Sequence, residues 1–298
     1  MLWILLTAAA APLQVARNAL QRGLVGDAGP WGATLVRFLF GLPFALAVFA
    51  VVALATPEAA PQLSWRFAIA IVAGAISQVC ATAALLMAMR HSGFAVATFM
   101  QQASLPLAAV LGLVAFGDRL TSVQWMGLLA TTAGLVVLSW PRAAEGEVAP
   151  VKGAMTGSLF GLASGAAFAV ALNGYRQAGL ALEPAHPIFA ATAALCVAQT
   201  LQSIVLTAWL AVTRPAALQA VAASWRSSLG AGFFGTAASV CWFSALALAP
   251  AGQVRAVGVI EGPVAALAAR RLFKERLTLR QILGGVATGV GVVMTALG

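Results

Sequence analysis

The chain has 298 residues, of which 61% are apolar and only 8% charged. Soluble globular domains carry roughly 25% charged residues, so this chain lacks the polar surface to face water, and its solvent must be a bilayer. The formal net charge of +9 would point to nucleic acid in a soluble protein. Here the basic residues fall in short loops between apolar runs, where they set orientation against anionic lipid, so membrane lipid is expected as a partner and nucleic acid is not.

A helix crossing the hydrocarbon core, roughly 30 Å thick, needs about 20 apolar residues. Runs of that size fall at 2–20, 31–54, 66–89, 93–116 and 121–140. A polar break over 141–152 holds Arg142, Glu145, Glu147 and Pro150, and further runs follow at 153–178, 186–212, 226–248, 252–272 and 278–297. None alternates with the period of two that a membrane barrel requires, so each reads as a helix. Met1 leads directly into Leu2-Trp3-Ile4-Leu5-Leu6 without a basic segment, which predicts a first span and not a cleaved leader. Cys80, Cys196 and Cys241 all lie in apolar runs and are odd in number, which argues against a disulfide framework or a zinc site. His91 and His186 stand far apart, so neither a metal nor a cofactor is expected.

The chain repeats itself. Phe116-Gly117-Asp118-Arg119-Leu120-Thr121, followed by Gln124 and Gly127, returns as Phe273-Lys274-Glu275-Arg276-Leu277-Thr278 with Gln281 and Gly284. The same offset pairs Pro106 with Pro263 and Gly134 with Gly291, while Gly74–Cys80 echoes Gly235–Cys241 and Asn18 pairs loosely with Asn173. Each half holds an odd number of spans, so two tandem copies must sit in the membrane with opposite orientations. The expected fold is all-α and integral to the membrane: ten transmembrane helices as two inverted five-helix repeats, 1–140 and 153–298, joined by a linker at 141–152. Inverted repeats are the architecture of alternating-access transporters, with the substrate site near the midplane between the halves.

The Gly117–Thr121 signature with Gly127 and Gly134, its second copy, Arg37-Phe38 in the second span, and the prolines at 106 and 263 resemble EamA-type members of the drug/metabolite transporter superfamily. The similarity covers essentially the whole chain. Asp118 stands where glutamate is usual, and the seventh span has no counterpart of Arg37. The resemblance implies a ten-helix proton-coupled or exchange transporter, often an exporter of amino acids or related metabolites, in a bacterial inner membrane.

Ionisable groups within a span cost about 2.5–3.5 kcal/mol each at the helix centre, so their presence asks for a function. Glu261 lies mid-span beside Gly262-Pro263, where a helix can bend and offer polar backbone to a cavity. It is the first candidate for proton coupling or substrate contact, the competing reading being a structural ion pair. Arg255 and Glu261 are six apart, well round a helix from each other, and are not expected to pair. Arg37 and Arg255 are the other candidates for substrate contact or coupling. Arg255 lies near a span end and is expected to snorkel to the interface instead, while for Arg37 the site role and snorkelling are balanced and the resemblance favours an orienting role. Gln101 and Gln102, just before Ser104 and Pro106, match the Glu261 region of the other half and are the next candidates. Asn18, Asn173, Ser77, Gln78, Tyr175 and Trp242 follow as weaker ones, each with helix packing or interhelical hydrogen bonding as its alternative. Gly153, Gly157, Gly161 and Gly165 clear one helix face for close packing, a device that Gly285 and Gly289 repeat in the last span and that leaves room for a homodimer.

The loops on one side, counted with their flanks, hold Arg17, Arg22, Arg90, Arg142, Lys152, Arg214, Arg226, Arg270, Arg271, Lys274, Arg276 and Arg280, against Arg66, Arg119 and Arg176 on the other. The positive-inside rule then places both termini outside the cytoplasm. The function expected is a secondary transporter of small polar metabolites such as amino acids. The alternatives are a flippase of lipid or lipid-linked cargo, a drug efflux protein of the same fold, or a pore. A membrane enzyme is disfavoured, since no GxSxG, HExxH or nucleotide-binding loop is present.

Overall fold

The computed structural model describes residues 1–139, 151–272 and 279–297. The polar break at 141–150 and the second copy of the repeated motif, Phe273–Thr278, lie outside the described residues. Within them every element is helical: α1 (Leu2–Leu39), α2 (Leu42–Ala55), α3 (Trp65–Ser92), α4 (Phe94–Gln101), α5 (Ser104–Phe116), α6 (Ser122–Ser139) and α7 (Val151–Leu182). Then come α8 (Pro187–Thr213), α9 (Pro215–Ala223), α10 (Trp225–Leu248), α11 (Ala251–Gly258), α12 (Glu261–Leu272) and α13 (Leu279–Leu297).

Six stretches are long and apolar enough to cross a membrane: Leu2–Ala55, Trp65–Ser92, Val96–Phe116, Met155–Leu182, Pro187–Thr213 and Trp225–Leu248. The first, at 54 residues, would extend about 80 Å if straight at 1.5 Å per residue. It turns back instead at Gly29, whose φ of 67° is in the region glycine adopts without steric cost. Pro30 follows and has no N–H to continue the ladder. The first helix therefore runs past the expected end at residue 20. The second run is also not continuous. It breaks at Phe40–Gly41, where Thr236 Oγ1 donates to the Gly41 carbonyl at 2.9 Å.

Large apolar side chains such as Leu54, Val114 and Val212 face outward, and the interior mixes alanine and larger apolar side chains such as Phe38, Leu85 and Phe94 with buried polar ones. Against lipid there is no hydrophobic gain from burying Leu or Val, so close approach of small residues holds the helices together. On α7, a Cβ at Gly157, Gly161 or Gly165 would collide with Ser92, with Met100, or with the backbone between Gln101 and Ser104. In α13 the close residue is Gly291, packed on Thr131 of α6, and Gly134 of α6 meets Thr288 in the reciprocal contact. Gly289 faces open space, which corrects the expectation for it: two positions from Gly291 is about 200° round the helix.

The long helices pair across the two halves of the chain. α3 lies along α7, α1 along α10, and α6 along α13. The half-helices follow the same rule, α4 and α5 against α7, and α11 and α12 against α1.

Candidate functional site

The fourth and ninth apolar runs are each split in two, at equivalent places. α4 ends at Gln101 and α5 begins at Ser104; α11 ends at Gly258 and α12 begins at Glu261. Pro106 and Pro263 cause this. Each has no N–H for the carbonyl four residues back, that of Gln102 or of Val259, and its ring crowds it. The freed carbonyls accept tighter turns instead, from Leu105 N at 2.9 Å and from Gly262 N at 2.8 Å. Each break thus exposes backbone and starts a new helix inside the bundle, with Ser104 and Glu261 as the matching first residues.

Glu261 is 0% exposed. As the first residue of α12 it sits at the positive end of that helix's dipole. Gln14 Nε2 donates to its Oε2 at 2.8 Å, Arg255 Nη1 to the same oxygen at 3.3 Å, and Asn18 Nδ2 to Oε1 at 3.4 Å. Arg255 and Glu261 therefore do form an ion pair, against the expectation from a straight helix. The break at 259–260 removes the rotation that would have separated them. Nor does Arg255 snorkel: it is 2% exposed, because α11 is a half-helix whose end lies deep in the bundle. Its Nε donates to Ser104 Oγ and its Nη2 to Gln102 Oε1, both at 2.6 Å, and its guanidinium lies 5.6 Å from the centre of the Trp242 ring. One arginine thus joins both helix breaks.

Arg37, 2% exposed, is also internal. It donates through Nη1 to Thr82 Oγ1 and through Nη2 to Ser239 Oγ, each at 3.2 Å, while its Nε has no partner. Behind it lies Arg17, 0% exposed, held by Asn18 Oδ1 at 2.6 and 3.1 Å with Nη1 unpartnered. Arg17 was expected on a loop and leaves the loop-charge tally. The first helix continues well beyond residue 20, so its position is mid-helix. The sign of the loop bias is unchanged.

These groups border a central cavity lined by Gln14, Arg37, Gln78, Gln101, Phe168, Ala171, Leu172, Tyr175, Ser239, Trp242, Phe243, Leu246 and Arg255. Its empty space is about 440 Å³, but only about 30 Å³ admits the centre of a water-sized sphere. At ~10–15 Å³ per water, that is room for two or three waters, so the conformation is a narrow one. Tyr175 OH donates to Gln78 Oε1 at 2.7 Å, and Gln202 Nε2 reaches the same oxygen at 2.8 Å.

Of the residues proposed from sequence, Arg37, Gln78, Gln101, Tyr175, Trp242 and Arg255 line this cavity, and Glu261, Gln102 and Asn18 stand directly behind it. Two do not join them. Asn173 bonds the carbonyls of Ala108 and Ala169, at 3.1 and 3.0 Å, and borders an outer groove with Arg66. Ser77 is half-buried, one residue round α3 from Gln78 and off the cavity. Gln14, Arg17, Ser239 and Gln202 were missed. Gln14, Arg17, Asn18 and Gln21 recur at helical spacing on one face of α1, a signal that could have found them. Cys80, Cys196 and Cys241 are free thiols.

On one flank Arg176 of α7 meets Asp118 at 3.6 Å and donates through Nη1 to the Leu246 carbonyl at 3.0 Å. This contact ties the end of α5 to α7 and α10.

The sequence pattern of the EamA-like transporter family matches the chain twice, over residues 1–140 and 155–297. No curated protein matches. A crystal structure of another protein superposes with a TM-score of 0.62 at 18% identity, over 98% of this chain and 96% of that one. This likeness is one of fold alone. The chain belongs to the EamA-like transporter family and is a multi-pass integral membrane protein of the drug/metabolite transporter superfamily.

Proposed function

We propose that this EamA-family protein is a secondary active transporter that moves small polar metabolites, amino acids among them, by alternating access between two inverted five-helix repeats. The ten spans are the six long stretches, with Leu2–Ala55 counted twice at its Gly29 turn, together with α6, the broken α11–α12 pair and α13. Residues 1–140 and 153–298 are the repeats. The membrane is a bacterial inner membrane with both termini outside the cytoplasm, and net export is the direction the family resemblance implies.

The observation that carries this reading is the buried Arg255–Glu261 pair at a helix break, beside a cavity of mixed polar and apolar lining and touching both halves of the chain. Irregular backbone at such depth is tolerated only where it lines a cavity or is buried in protein. Discontinuous helices near the midplane are where transporters bind cargo and coupling ions. Glu261 has a second use there. Protonating it cancels the pair and leaves the charge of Arg255 uncompensated beside the cavity, so proton binding and substrate binding are linked through one cluster of charges.

The test is uptake and counterflow in proteoliposomes. Saturable uptake of a labelled metabolite, inhibited by an unlabelled competitor, is expected. A pH gradient should drive it in the native protein and fail to drive it in Glu261→Gln. Linear, unsaturable flux would replace the carrier with a pore, and unchanged pH-driven uptake in Glu261→Gln would remove Glu261 from coupling.

A further inference from the structure

Resting on the transport reading above, we infer that the cargo is a small organic carboxylate of net negative charge, a hydroxy or keto acid rather than an amino acid, whose carboxylate seats on Arg37. The centre of the bundle is electrostatically unbalanced. Arg17, Arg37 and Arg255 are all buried there, and Glu261 is the one carboxylate that faces them among the described residues. An excess of buried positive charge is costly unless an anion offsets it, and a transporter can have its cargo supply that anion.

Arg37 is the guanidinium with a donor to spare, which a carboxylate reaches when the narrow cavity widens. It lines the cavity, and its Nε–H is unpartnered although the side chain is 2% exposed. Nη2, beside Nε on the same edge of the guanidinium plane, donates one hydrogen to Ser239 and retains a second. That edge is the two-donor fork that matches the two oxygens of a carboxylate. Arg255, by contrast, is engaged at Nε, Nη1 and Nη2 by Ser104, Glu261 and Gln102.

An ammonium group is served less well, since of the unpartnered neutral groups it can use only the Gln101 acceptor and its charge adds to that of the three arginines. Both oxygens of Glu261 already accept from Gln14, Arg255 and Asn18, and an added cation would face the arginines. What the cavity offers instead is neutral: Trp242 Nε1 is a donor without a partner and Gln101 Oε1 an acceptor without one. A hydroxyl satisfies both and a keto oxygen satisfies the donor. Phe168, Leu172, Phe243 and Leu246 complete the wall and accept an apolar side chain.

The experiment compares isosteres that differ only in the disputed group, 2-hydroxyisocaproate and leucine, with isoamylamine as the cation lacking the carboxylate. Each is tested in the purified full chain by thermal shift, and in proteoliposomes by uptake and counterflow. The hydroxy acid is expected to act at concentrations at least tenfold below leucine, with the amine inert. Arg37→Gln should weaken the hydroxy acid at least tenfold and abolish its advantage over leucine. Arg37→Lys, which keeps the charge but loses the fork, should fall between. Melting temperatures of the unliganded variants identify any that fail to fold, and Ser239→Ala, which loosens the same fork, then serves as the second variant. Saturable transport of leucine equal to or better than the hydroxy acid would overturn this inference and leave the transport reading standing. Transport of none of the three by folded protein would overturn it as well, and a failure of any metabolite to show saturable uptake would remove the transport reading separately.

Discussion

Replacing Glu261 by glutamine keeps the shape of the side chain and removes its charge. The carboxylate accepts from three donors: Gln14 at 2.8 Å, Arg255 at 3.3 Å and Asn18 at 3.4 Å. An amide has one oxygen, so it can turn that oxygen toward Gln14 and Arg255 or toward Asn18, and its NH2 then faces a donor on the other side. The variant loses a charge-assisted bond from Arg255 and strands at least one buried donor, the latter costing about 1–3 kcal/mol. Breaking a buried ion pair by removing one partner costs about 3–5 kcal/mol, because the remaining charge stays buried. Arg17 and Arg37 already lack a nearby acid of their own, so the upper half of that range is expected. At about 2–4 °C per kcal/mol, the melting temperature should fall by about 10 °C, read by scanning fluorimetry in detergent. Arg255→Met in the Glu261→Gln background should restore part of the loss, since the stranded guanidinium is then gone. A Glu261→Gln protein that melts within 1–2 °C of the native one would refute the reasoning and mean that the pair carries little stabilisation.

Other outcomes follow from the same geometry. Arg17→Met removes a buried cation with an unpartnered Nη1, so the melting temperature should hold or rise while uptake of an anionic substrate weakens. Gly291→Leu or Gly134→Leu should push α6 from α13 and lower the yield of folded protein in size-exclusion profiles. Gly289→Ala, where an added Cβ meets nothing within 4 Å, should leave both yield and melting temperature unchanged. Tyr175→Phe removes the 2.7 Å bond to Gln78 while Gln202 still serves that oxygen, so the expected loss is about 1 kcal/mol, measured as a small drop in melting temperature. Asp118→Asn leaves the Arg176 bond to Leu246 in place and weakens its tie to α5, and should change the turnover rate of counterflow more than the half-saturating concentration.

The helices were legible because apolar runs in a bilayer have one acceptable secondary structure. Pro106 and Pro263 marked the breaks for the same reason, since each removes a donor whatever surrounds it. What the sequence hid was rotation and depth. The pairing of Arg255 with Glu261 depends on the helix being interrupted between them, and a spacing of six reads as separation only if it is not. Arg17 was counted with the flank of the first loop because the apolar run stops at residue 20, and the polar stretch Gln14, Arg17, Asn18, Gln21 lowers hydropathy just where the helix turns its working face inward. Ser77 and Asn173 have the right composition and the wrong azimuth, one residue or a quarter-turn from the face that meets the cavity.

The repeat explains where the site is, and its departures from symmetry explain what the site can do. Ser104 and Glu261 occupy equivalent first positions after the two breaks, and Thr98 and Arg255 equivalent positions before them. In one half these residues are neutral, with Thr98 bonded back to its own helix at Phe94. In the other they form the ion pair, and Arg255 extends across to Ser104 and Gln102 of its counterpart. The same holds one layer out: Asn18 reaches the Glu261 carboxylate, whereas Asn173 reaches only backbone carbonyls, those of Ala108 and Ala169. On the transport reading, two backbones of one design, inverted in the membrane, exchange conformations at little cost, because each already contains the other's shape. The charges cannot exchange, since they belong to α11, α12 and α1 alone. If the halves swap roles as proposed, the Arg255 bridge to Ser104 and Gln102 of the first half must stretch or break. On that reading, a proton on Glu261 and an anionic cargo on Arg37 act on one cluster of charges, and both bear on the Arg255 bridge between the halves.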